Sequence, residues 1–245
     1  MSAASDKTDI HKTNQQFYDS LWADVRLVPP HRFNTWPLIK PLADAASQRL
    51  EVGPGMRPRL PVRGSHFVDI SEPALKQLAD AGGLCRQAPV NALPFADNSF
   101  ELVCALDIIE HVEDDQGALA ELCRVARPGA TVLLSTPLHM DFWTPFDALV
   151  GHYRRYEPEQ LASLLLQHRL TVMQSAGYGM KPRSSWLVDW AMRQMEKNRQ
   201  RSMWFYNRLF MPIGLYFQKP LQWQQGMAAT DGVNEVLLVC RLDKP

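Results

Sequence analysis

Short apolar runs recur along the chain, separated by segments whose apolar positions recur every three to four residues. Strands are expected near 48–53, 65–70, 84–87, 100–106, 130–136, 170–176 and 233–241. Between them lie helical stripes such as Leu75, Leu78 and Ala79, or Leu161, Leu164 and Leu165. Strand and helix in alternation predict an α/β fold, with a parallel sheet covered on both faces. Ser71 and Pro73 suit the start of one helix, and Glu157-Pro158-Glu159 opens another. Glu113, Asp114 and Asp115 open a third helix, which Arg124 and Arg127 close before Pro128-Gly129. That charge order complements the helix dipole.

Two strand ends carry candidate chemistry. Leu50-Glu51-Val52-Gly53-Pro54-Gly55 runs an apolar strand into a glycine turn, and Phe67-Val68-Asp69-Ile70 ends the next strand on an acid. Glycine lets a ligand approach backbone N–H groups, and an acid after the second strand is placed to bind ribose hydroxyls. Glu51 would repel a pyrophosphate but suits a cationic amino-acid tail. Adenosine at one end and an amino acid at the other describe S-adenosylmethionine. A nicotinamide-dependent oxidoreductase is the competing reading, and Glu51 argues against it. A protein that binds the cofactor without catalysis is a third.

Further segments resemble class I S-adenosylmethionine-dependent methyltransferases. These are Leu93-Pro94-Phe95-Ala96-Asp97-Asn98-Ser99-Phe100-Glu101-Leu102-Val103, then Asp107-Ile108-Ile109-Glu110-His111-Val112, then Glu121-Leu122-Cys123-Arg124-Val125-Ala126-Arg127-Pro128-Gly129-Ala130. With the glycine turn they fall in the family's order over about 48–177. The resemblance implies a Rossmann-like seven-stranded methyltransferase sheet. A helical lead-in would occupy 1–46, the cofactor-binding core 47–177, a helical aromatic-rich insertion 178–232, and the final strand 233–245. It implies cofactor contacts from Glu51, Gly53, Gly55, Arg57, Asp69, Ile70, Leu93 and Leu106, and methyl transfer to an O or N atom of a small molecule.

The chain departs from the family at two places. Arg57 stands where a third glycine is usual, and Pro58, Pro61 and Gly64 interrupt the stretch that holds a helix in relatives. Interior proline costs a helix roughly 3 kcal/mol, so an irregular segment is expected over 56–64. Arg57 or a backbone nest would then meet the ligand's carboxylate. At the second, Pro89 replaces an acid that meets adenine in relatives.

Methyl transfer to oxygen or nitrogen needs a proton acceptor, and loops after strands 4 and 5 are where sites collect. His111, His139 and His152 are the catalytic candidates there. Trp143, Tyr153, Arg154, Arg155 and Tyr156 are candidate substrate contacts, the arginines suiting an anionic group or a clasp onto Glu157 or Glu159. Asp107, Glu110, His111 and His152 also resemble the acidic/histidine metal site of small-RNA 2′-O-methyltransferases. A hydrogen-bonded loop clasp without metal is the reading preferred for them.

Composition narrows the classes. Formal net charge is zero, with 26 basic and 26 acidic residues, so no nucleic-acid partner is expected. The polar N-terminus lacks an apolar leader core and no apolar run spans a bilayer, so a cytoplasmic location is expected. The four cysteines form no C-x-x-C pair and read as buried thiols. The insertion 178–232 interleaves tryptophan, tyrosine and phenylalanine with arginine, as expected for a cap over the cleft, a peripheral membrane contact or a homodimer face.

Overall fold

The computed structural model describes residues 25–178, 211–227 and 230–244. Its centre is a sheet of β1 (Arg49–Val52), β2 (His66–Asp69), β3 (Leu84–Gln87), β4 (Phe100–Leu106), β5 (Ala126–Pro137), β6 (Leu170–Gly177), β7 (Gln224–Gln225) and β8 (Glu235–Leu242). In space they run β3-β2-β1-β4-β5-β8-β6-β7. Neighbours from β3 through β5 are parallel, whereas β8 is antiparallel to both β5 and β6. Seven strands fall within a few residues of the expected positions. The eighth, β7, is a two-residue strand from the insertion, held on Gln174 and Ser175.

The helices are α1 (Trp36–Ala45), α2 (Glu72–Asp80), α3 (Asp115–Val125), α4 (Pro145–Leu149), α5 (Pro158–Gln167) and α6 (Met211–Tyr216). Strand alternation sorts them into two layers. Leu50, Val103, Ala105, Val132 and Leu134 face Leu119 and Leu122 of α3 and Leu161 and Leu165 of α5. The intervening Leu102, Cys104 and Leu133, with Phe67, face Ile39 and Ala43 of α1 and Leu78 of α2. Side chains of one strand thus fill both layers, which is why these strands are apolar nearly throughout.

Asp114 caps α3 by accepting a hydrogen bond from the Gly117 N–H at 2.8 Å. The helix ends at Val125, and Arg127 lies in β5, paired with Glu101 at 2.7 Å. Arg124, in the last turn, donates to the Leu93 and Phe95 carbonyls and pairs with Asp97 and Glu121. The family-like segments at 93–103 and 121–130 are thereby two halves of one clasp.

No helix joins β1 to β2; residues 53–65 form bends and turns, as the prolines require. All four cysteines are free, three on strands and Cys123 on α3. No helix of the described residues is long and apolar enough to cross a membrane. Of the segments expected to form a lead-in and an insertion, 1–24, 179–210 and 228–229 lie outside the described residues.

Candidate active site

Strand order reverses between β1 and β4, and ligands of such sheets bind at the carboxyl ends of the strands beside that point. The glycine turn sits there. Gly53 has φ +67° and Gly55 φ +51°, in the left-handed region. A side chain at Gly53 would put its Cβ 2.1 Å from Ile108 Cδ1, so this turn and the segment after β4 are in direct contact. The Gly55 N–H donates to Asp69 Oδ2 at 2.9 Å, and the Ser71 N–H to Asp69 Oδ1 at 2.8 Å. Asp69 therefore ties the first turn to the end of β2.

Glu51 is buried and accepts hydrogen bonds from the Arg59 and Leu60 N–H groups at 2.9 Å. It organises the irregular segment that replaces a helix. Burial pushes its carboxyl up to about 7, against the pull of those N–H donors and of Arg59. Arg57 closes the turn by donating its N–H to the Pro54 carbonyl at 2.9 Å. The Ile70 carbonyl accepts from Gln87 Nε2 at 3.0 Å. Leu93 is buried, with its N–H on Glu121 and its carbonyl on Arg124, and Leu106 ends β4, half-buried.

The loop after β5 folds against the end of β4, with the Tyr153 N–H donating to the Glu110 carbonyl at 2.8 Å. His111 and His152 meet edge to face, ring centroids 4.5 Å apart. Burial and then the neighbouring His152 push the His111 imidazole down to about 3, so it is neutral at pH 7. His152 Nδ1 lies 3.0 Å from Asp147 Oδ1, which turns Nε2 toward Glu110 Oε1, 4.0 Å away. Burial would raise the Asp147 carboxyl, but hydrogen bonds from His152, Thr144 and Arg155 outweigh it and hold the group well below the usual range. With Nδ1 on the ionised Asp147, Nε2 is the outer nitrogen of His152.

Glu110 is fully buried, and neither oxygen has a well-formed hydrogen bond among the described residues, although the Thr136 hydroxyl lies close by. Burial and then the Asp107 charge push its carboxyl well above the usual range. One ligand atom each from Glu110, His111 and His152 lie within 4.8 Å of one another, close enough to share a cation. Asp107 is outside that group. Its φ is +55°, and it accepts from the Ser135 hydroxyl at 2.6 Å.

The remaining candidates have other partners. His139 Nε2 lies 2.9 Å from the Thr230 carbonyl and Nδ1 3.3 Å from Glu157, an arrangement separate from the His111–His152 pair. Arg154 clasps the start of α3, through Asp115 at 2.6 Å and the Glu113 carbonyl, rather than Glu157 or Glu159. Arg155 is buried on Asp147 at 2.7 Å, with Asn234 Oδ1 at 3.1 Å. The Tyr156 hydroxyl donates to Asp115 at 2.8 Å. These three residues hold the loop. Trp143, half-buried, closes the turn onto Met140.

Sequence reasoning passed over four residues here: Asp147, Arg59, Tyr178 and Glu235. Asp147 carried a signal, because Thr144-Pro145-x-Asp147 has the spacing of a capping box and the structure forms one. Arg59 stands between two prolines without motif, and Glu235 is the first residue of β8.

Residues 56–134 match the family model described as a methyltransferase domain. Over 102 residues the chain is 37% identical to the ubiquinone/menaquinone biosynthesis C-methyltransferase UbiE of Desulfotalea psychrophila, covering 40% of each protein. Over 49 residues it is 37% identical to ajmaline N-methyltransferase of Rauvolfia serpentina, covering 20% of this chain and 17% of that one. The matched region thus spans well under two thirds of either relative. The fold is shared with a SAM-dependent methyltransferase of Thermotoga maritima, with TM-score 0.56, 14% identity and 88% and 91% of the two chains covered. It is also shared with the [4+2]-cyclase SpnF, with TM-score 0.55, 15% identity and 84% and 79% covered. Residues 56–134 thus carry a methyltransferase domain, and the relatives and the fold that this part of the chain resembles include S-adenosylmethionine-dependent methyltransferases.

Proposed function

We propose that this protein transfers a methyl group from S-adenosylmethionine to an oxygen or nitrogen atom of a small molecule. The cofactor fits the residues present. Two left-handed glycines open the turn after β1, Asp69 stands at the end of β2 for the ribose, and acids flank an incompletely bonded guanidinium, Arg59, at the far end. When bound, the cofactor supplies a sulfonium-activated methyl group, so the chain's own part is alignment and proton removal. Glu51 offers negative charge to the ligand's ammonium and Asp69 orients its ribose. Glu110 and Ile108 bring the segment after β4 against both the glycine turn and the histidine loop.

The observation that carries the reading is the Asp147–His152 pair, set against Glu110 directly after β4. A base whose outer nitrogen is fixed by a buried carboxylate can take the proton of a hydroxyl or amine as the new bond forms. The unpartnered oxygens of Glu110 favour a second reading of the same cluster. There Glu110, His111 and His152 would hold a divalent cation, which would supply Lewis-acid activation of an acceptor hydroxyl.

One experiment separates the two. With an acceptor found by screening labelled methyl donor against small molecules, His152→Ala is expected to lower kcat ~10²–10⁴-fold with cofactor affinity nearly unchanged. Chelator should leave wild-type turnover intact on the first reading, and abolish it, with Mg2+ or Mn2+ restoring it, on the second. Unchanged turnover in both His152→Ala and chelator would remove this cluster from the chemistry.

A further inference from the structure

We infer that Arg59 holds the carboxylate of the cofactor's methionyl tail, taking over the role that the missing helix after β1 would serve; the inference rests on the cofactor assignment above. The guanidinium stacks on the buried Phe33 ring, its Cζ 3.5 Å from the ring centroid. Its Nη1 donates to the Arg57 carbonyl at 2.6 Å and its Nη2 to the Tyr178 hydroxyl at 3.0 Å. Both partners are neutral. Its Nε–H is buried and has no partner among the described residues.

Glu51 and Asp107 lie close enough to act on its charge, yet Arg59 forms no ion pair with either, nor with any other acid among the described residues. A guanidinium fixed by stacking, bonded only to neutral oxygens and left with an unpartnered N–H is incomplete as a structural element. It is complete with an anion.

The neighbouring charges say which anion. A simple phosphate or a free carboxylic acid would be repelled by Glu51 and Asp107 beside it. An α-amino acid end carries an ammonium and a carboxylate on one carbon. Acids and a guanidinium set near one another match that pair of charges in sign. Arg59 reaches this position because Glu51 fixes the N–H groups of residues 59 and 60, and that in turn needs the irregular chain path the prolines impose. A regular helix there would present its own N-terminus to the carboxylate instead.

The test compares S-adenosylmethionine with decarboxylated S-adenosylmethionine by calorimetry, on the wild type, Arg59→Met and Arg59→Lys. Wild type is expected to bind the intact cofactor about ten- to hundredfold more tightly, the worth of a hydrogen bond between charged groups. Arg59→Met should lose that preference by weakening the intact cofactor alone, and Arg59→Lys should keep part of it. Equal wild-type affinity for the two ligands overturns the inference without any variant, as does an Arg59→Met protein that loses both ligands equally. Wild type binding neither ligand overturns the cofactor assignment itself, and this inference with it.

Discussion

Glu51 shows what a single residue does when a strand end is buried. The sequence leads one to expect it to meet a ligand's ammonium, and the structure shows it accepting from the N–H groups of Arg59 and Leu60. Its carboxyl is pushed up to about 7 from an ordinary 4.5. From pH 4.5 to 7 the unfolded chain therefore releases a proton that the folded chain retains. Glu51's contribution to stability is fully present below pH 4.5 and is lost as pH rises through 7, at a limiting slope of about 1.4 kcal/mol per pH unit. Cofactor affinity should move the other way, because a ligand ammonium prefers the ionised carboxylate. Urea denaturation of the cofactor-free protein between pH 5 and 8 should show that slope, and Glu51→Gln should flatten it. Equal slopes in the two proteins would mean that Glu51 is ionised throughout.

At the scale of elements, the loop from β5 to α5 is built around Asp147. Its carboxylate receives the Thr144 N–H and hydroxyl, His152 Nδ1 and Arg155 Nη2. Asp147→Ala would leave Arg155 buried and uncompensated, a loss of about 3–5 kcal/mol. Asp147→Ala with Arg155→Met should recover part of that loss, since the second change removes the stranded charge. Chemical denaturation of the two single variants and the double variant checks this, and strict additivity would refute it. The same loop marks where the sequence stopped being informative. Strands at 84–87 and 100–106 were legible to the residue because a short apolar run between polar or turn residues is a local property. The His111–His152 contact joins two loops distant in sequence, and the Asp147 hub gathers Thr144, His152 and Arg155 within one irregular loop; no periodicity encodes either. The arginines read as substrate contacts are the clearest instance: composition gives Arg154 and Arg155 a charge, and only tertiary structure directs it inward to Asp115 and Asp147.

For the whole molecule, the reversal of strand order between β1 and β4 gathers segments far apart in sequence at one end of the sheet. The turn at 53–55, Asp69 and the residues after β4 meet there. The succession of apolar strands and amphipathic helices made this architecture legible, because a sheet filled on both faces admits few arrangements. The substitute for the missing helix was not legible, since prolines say what a segment avoids and not where its side chains go. A ligand spanning that end binds β1, β2 and β4 at once, so it should stabilise the folded sheet as a unit. At a concentration 100-fold above Kd, binding contributes about 2.7 kcal/mol. For a chain of this length each kcal/mol raises Tm by roughly 2–4 °C, so S-adenosylmethionine and S-adenosylhomocysteine should each raise it by roughly 5–10 °C. NAD should leave Tm unchanged, because its pyrophosphate would meet Glu51. Asp69→Ala should shrink the cofactor's shift, because the proposed ribose contact goes and Gly55 and Ser71 lose an acceptor. Differential scanning fluorimetry with the three ligands reads all of this, and a shift with NAD alone would return the fold to an oxidoreductase reading.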